Sequence, residues 1–110
     1  MSLNLVGKTC VACEGSVPPL SREEAGRYLK ETPGWRLLAD GLGIEREFNF
    51  RDFGAALAFV NKVAALAENE GHHPDIHVFY NRVRLELSTH AIGGLSENDF
   101  ILAAKVNLIA

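Results

Sequence analysis

Between Asp52 and Leu87 the apolar residues change their period, and that change dictates what the chain can fold into. From Asp52 to Glu70, the residues Phe53, Ala56, Leu57, Val60, Ala64 and Ala67 recur at three- and four-residue spacing. That spacing gathers them on one side of a helix, and Gly71 predicts where it stops. After Pro74 the spacing drops to two: Ile76, Val78 and Tyr80 alternate with His77 and Phe79, while Val83, Leu85 and Leu87 alternate with Arg84, Glu86 and Ser88. Two such runs turning at Asn81-Arg82 predict an antiparallel hairpin with one apolar face. Such a face needs a cover, and helices are the available elements.

The remaining elements repeat the theme. Ser21-Arg22-Glu23-Glu24 has the form of a capping box, in which hydroxyl and carboxylate satisfy backbone donors left free by the first helical turn. A short helix to about Glu31 follows, stopped by Pro33-Gly34. Trp35 to Ala39 and Ile44 to Phe50, around Asp40-Gly41, read as a first hairpin, with Ile44, Phe48 and Phe50 on one face. Ser96-Glu97-Asn98-Asp99 caps a last helix reaching Ile109. The order α-β-β-α-β-β-α predicts an α+β fold: two layers, a four-stranded antiparallel sheet with three helices on one face. The other face is left to solvent, ligand or partner. With 110 residues the chain has room for one domain. We expect that domain over 21–110, with order beginning near Ser21, and an irregular arm over 1–20, where Gly7, Gly15, Pro18 and Pro19 interrupt any period.

Composition removes several classes of function. Lys plus Arg is 11 against 14 for Asp plus Glu, a net charge of −3, and no basic run exists to neutralise phosphates, so nucleic acid is not expected as a ligand. The apolar stretch Phe53 to Leu66 is broken by Gly54, Asn61 and Lys62, so no membrane segment is expected. Met1 to Ser16 lacks the charged start and apolar run of an export signal, which predicts a cytoplasmic protein. Cys10 and Cys13 have the spacing of half a zinc site with no second half, and read as two free thiols.

All four histidines, His72, His73, His77 and His90, crowd into one stretch. His72 and His73 sit between Gly71 and Pro74, just past the long helix. His90 continues the row Arg84, Glu86, Ser88 and can approach that corner if the hairpin strands pair. Imidazole typically titrates near pH ~6.5, so several around one pocket suit proton transfer. Glu68, His72, His73, His77 and His90 also supply metal-ligand types, but adjacent histidines tend to point apart and make a weak ligand pair. No phosphate-binding glycine loop and no Gly-x-Ser-x-Gly elbow is present. His77, in mid-strand, reads as a residue without a role in the site. Asp99 can serve as a helix cap or as a site residue, and Glu68 can orient a histidine or be solvated.

Glu68-x-x-x-His72-His73-Pro74, then Tyr80, His90 and Asp99 at set separations, closely resembles the signature of the pterin-4a-carbinolamine dehydratases. Pro33-Gly34-Trp35, Phe48 to Phe53, Ser88-Thr89-His90 and Gly94-Leu95-Ser96 extend the resemblance to roughly Ser21 onward. The resemblance implies dehydration of 4a-hydroxytetrahydrobiopterin to quinonoid dihydrobiopterin, without a cofactor and without a metal. It implies catalytic roles for His72, His73 and His90, substrate contacts from Pro74, Thr89, Ala91 and Ile92, and support from Glu68 and Asp99. Members often carry a basic residue before the motif aspartate, where this chain has Asn98. The resemblance also takes in members linked to molybdopterin metabolism and members that stabilise dimers of a transcription factor. Its remaining implication is assembly: a homodimer or homotetramer, using the ungated strand edge at Val78, Phe79 and Tyr80 and the alanine-rich long helix.

Overall fold

A computed structural model describes residues 4–11 and 18–110. The capping box at Ser21 forms: Ser21 Oγ accepts the Glu24 N–H at 3.1 Å and Glu24 Oε1 accepts the Ser21 N–H at 3.0 Å. These bonds start α1 (Arg22–Leu29) and hold the Glu24 carboxyl below its ordinary range. The first hairpin follows as β1 (Arg36–Leu37), shorter than the sequence suggests, and β2 (Ile44–Asn49). Asp52 then caps α2 (Phe53–Glu70) by accepting the Ala55 N–H at 2.8 Å. Gly71 ends α2 in the left-handed region at φ 68°, where glycine carries no Cβ penalty. The chain continues as β3 (Asp75–Phe79), β4 (Arg82–Leu87), a 3₁₀ turn (His90–Ile92) and α3 (Glu97–Ile109).

The strands lie in the order β1-β2-β4-β3, every neighbouring pair antiparallel. Register at the centre sets Ile44 against Leu87 and Phe48 against Val83, which brings the apolar faces of both hairpins to one side. Ile44, Phe48, Val83, Leu85 and Leu87 are buried there in one cluster with Ala25 of α1, Phe59 and Val63 of α2, and Phe100 and Leu102 of α3. This is the two-layer α+β arrangement expected from the element order. Each large apolar side chain fully buried in this way contributes roughly 1.5–3 kcal/mol. The opposite face of the sheet carries ion pairs: Arg36 with Glu45 at 3.5 Å, Arg82 with Glu47 at 3.7 Å, and His77 with Glu86 at 2.6 Å.

Three details differ from the sequence reading. The second hairpin turns at Tyr80-Asn81 instead of Asn81-Arg82, because Phe79 pairs with Arg82, and Tyr80 takes φ 54° to close the loop. The buried stripe of α2 is Ala56, Phe59, Val63 and Ala67, while Phe53, Leu57 and Ala64 are exposed. Apolar residues occupy more than one side of this helix, so period alone could not choose the inner side; Phe59 does, by packing on Phe48 and Phe50 with ring centroids at 4.7 and 5.1 Å. Order also begins before Ser21. A 3₁₀ turn at Leu5–Gly7 packs against α3 and buries Leu5 in the core. A helix that is apolar on every side must be covered on every side, and α3, with Phe100 to Ala104 all buried, takes part of its cover from this segment.

Candidate active site

The site grows out of two chain reversals at one end of the sheet. At the first, the N–H groups of Gly71 and His72 both bond to Ala67 O, at 2.9 and 3.3 Å, and the chain swings into β3 through His73 and Pro74. At the second, Thr89 and Gly94 form an antiparallel bridge, and the 3₁₀ turn between them, closed by Gly93 at φ 66°, carries His90 and Ala91. His72, His73 and Pro74 from one reversal and Thr89, His90 and Ala91 from the other line a single pocket of about 380 Å³. Asp75 and Ser88 continue its lining. Ile92, the last residue of the turn, is not among the lining residues.

Behind the pocket stands a buried carboxylate. Asp99 Oδ1 lies 2.6 Å from His72 Nε2, while Asp99 Oδ2 accepts from Thr89 Oγ1 at 2.9 Å and from the Ser96 N–H at 3.0 Å. Thr89 Oγ1 and Ser96 Oγ are themselves 2.7 Å apart. Three groups therefore converge on its two oxygens. His72 is thus held through Nε2 against Asp99 Oδ1. Asp99 completes the helix cap, and the same side chain also holds His72. Thr89 borders the pocket, yet its hydroxyl is engaged behind it.

His73 is paired as well, but in the open. Its Nε2 lies 2.7 Å from Oε1 of Glu68, in the last turn of α2, with side-chain exposures of 59% and 78%, against 12% and 0% for His72 and Asp99. His77 is bound to Glu86 on the ion-paired face of the sheet, outside the pocket lining. Among the described residues no three His, Cys, Asp or Glu side chains come together in an arrangement able to hold a metal ion.

Two lining residues were not foreseen, Val11 and Asn98. Asn98 Oδ1 accepts the Val11 N–H at 3.0 Å and Asn98 Nδ2 donates to Val11 O at 2.5 Å. No sequence signal could link them, since Val11 lies in a stretch without period and the partner groups belong to its backbone. Beside them, Glu70 accepts from the Cys10 N–H at 2.9 Å and from Lys105 Nζ at 2.8 Å, bonds that hold its carboxyl below the ordinary range. Cys10 is a free thiol; burial, with Glu70 next to it, pushes it up to about 12. Cys13 lies outside the described residues.

The family profile of pterin 4 alpha carbinolamine dehydratase matches residues 18–109. This chain belongs to that family. A relative from Nitrosomonas eutropha is 52% identical over 107 residues, covering 96% of this chain and 93% of its own. Another, from Aromatoleum aromaticum, is 49% identical over all 110 residues and 98% of its own length; both are named "Putative pterin-4-alpha-carbinolamine dehydratase". Among solved structures, a transcriptional coactivator/pterin dehydratase from Brucella melitensis superposes with a TM-score of 0.79 at 37% identity, covering 84% of this chain and 98% of that one. The family is one of hydro-lyases. No helix among the described residues is long and apolar enough to cross a membrane.

Proposed function

We propose that this protein is a hydro-lyase that dehydrates 4a-hydroxytetrahydrobiopterin to quinonoid dihydrobiopterin in the recycling of tetrahydrobiopterin. The observation that carries the reading is the meeting of His72, His73 and His90 around one pocket, in a chain of this family. The chemistry asks for two proton carriers. An acid protonates the 4a-hydroxyl as the C4a–O bond breaks, a base takes the proton from N5, and the N5 electron pair forms the N5=C4a bond. Water leaves, and the two carriers end with their protonation states exchanged. His73 and His90, both exposed to the pocket, are the pair we assign to these roles. His72, held through Nε2 by Asp99, presents a ring of fixed orientation to the same space. Pro74 and Ala91 supply walls for the flat bicycle, and Glu68 orients His73.

The test is turnover of enzymatically generated 4a-hydroxytetrahydrobiopterin by the pure protein, followed through dihydropterin absorbance. His73→Ala and His90→Ala should each lower turnover by about 10² to 10⁴, the usual worth of a positioned acid or base. Wild-type protein without activity, or both variants at full activity, would overturn the assignment.

We also propose that β3 serves as a seam between copies. It is an edge strand of the sheet, and its end at Val78, Phe79 and Tyr80 carries exposed apolar side chains with no charge among them to block pairing. Sedimentation at micromolar concentration should give a homodimer or homotetramer, and a species that stays monomeric at every concentration would refute the seam.

A further inference from the structure

The pocket has a wall that lies outside the matched family region, which starts at residue 18. Four contacts fasten the segment carrying it. Leu5 is buried in the core, and Lys8 Nζ reaches Glu97 at 3.0 Å. The Cys10 N–H is held by Glu70, whose side chain is 4% exposed and paired with Lys105. Val11 is gripped at both its N–H and its C=O by the buried side chain of Asn98. With both backbone polar groups satisfied, what Val11 has left to offer is its isopropyl group. Val11 is 68% exposed and lines the same pocket as His72 and His73.

Asn98 is adjacent to Asp99 in the first turn of α3. One helical turn therefore sets two things at once: the ring of His72 through Asp99, and the position of Val11 through Asn98. An exposed valine has little reason to be clamped by two side-chain bonds for stability alone, since a water-exposed apolar group gains nothing from being fixed in place. It gains on contact with an apolar or flat ligand surface that covers it.

We propose that Val11 is a substrate-contact residue, and that the Asn98 clamp makes residues 8–11 a fixed wall against which the pterin bicycle or its side chain packs. The proposal rests on the dehydratase reading above. It assigns to Val11 a share of binding and none of the proton transfer, so its variants should change KM and leave kcat alone.

Val11→Asp places a charge on the proposed contact surface at a position too exposed to endanger folding. It should raise KM, and the Kd for 7,8-dihydrobiopterin by calorimetry, about fivefold, the lower range for disturbing an apolar contact because Val11 is only partly enclosed. Val11→Ile should stay close to wild type in both. Unchanged KM and Kd in Val11→Asp, with wild type active, would overturn the wall and leave the segment only its part in covering α3. Wild-type protein that neither binds the pterin nor turns over would overturn the dehydratase reading and the wall together, so the two failures are told apart by the wild-type measurement.

Discussion

His72 and His73 are neighbours in the chain, each with its Nε2 on a carboxylate at 2.6 or 2.7 Å, and almost everything else about them differs. The partner of His72 is fully buried, accepts two further hydrogen bonds and stands at the start of a helix. The partner of His73 is a water-exposed glutamate on the outside of α2. Equal distances thus conceal unequal constraint. A bond to a buried, fully engaged acceptor fixes a ring because every alternative leaves a polar group unsatisfied, whereas an exposed pair competes with water and can be exchanged at little cost. One imidazole is fastened, and its neighbour is held only by a pair open to water.

The contrast can be broken most forcefully at Asp99. Asp99→Ala removes the acceptor of three buried donors and should destabilise the protein by about 3–5 kcal/mol, with turnover lower by about 10²-fold. Chemical denaturation and the dehydratase assay measure the two effects, and a variant as stable as wild type would mean that the buried network does not fasten His72. Thr89→Val keeps the shape and deletes one donor. It should cost about 1–2 kcal/mol and alter the His72 ring resonances in nuclear magnetic resonance spectra, a change that Thr89→Ser should reverse.

Glu70 extends the contrast to pH. Hydrogen bonds from Lys105 and the Cys10 N–H hold its carboxyl below the ordinary 4.5, so their stabilisation is in full force above that value and fades as pH falls through the depressed one. Melting temperature should drop on acidification below about pH 4.5, and Glu70→Gln should flatten that part of the curve while lowering the plateau at neutral pH by about 1.5–3 kcal/mol. An identical acid limb in the two proteins would remove Glu70 from the account. Smallest of all should be Glu68→Gln: under about 1 kcal/mol in stability, the usual ceiling for an exposed pair. A loss in stability matching that of Asp99→Ala would erase the distinction between the two histidines.

What was legible beforehand was local. Ser21 with Glu24, Gly71 after α2 and the alternation through β4 each involve residues within a few positions of one another, where backbone geometry leaves few choices. The histidine cluster was legible for a different reason, the rarity of that residue type and its crowding. What escaped depends on distant partners. Leu5 belongs to no pattern until α3 is there to be covered, and Asn98 looks like an ordinary first-turn residue until Val11, 87 positions earlier, is laid against it. The inner side of α2 was misjudged because Phe53 and Leu57 are as apolar as Phe59, and only the rings of Phe48 and Phe50 decide among them.

Because Asp99 Oδ2 holds the Ser96 N–H at the start of α3 while Oδ1 holds His72, the first turn of that helix and the working centre share a single fastening. Winding the opening turn of α3 around Asp99 aims the carboxylate at His72. Damage to the start of α3 should therefore loosen the ring of His72 together with the helix.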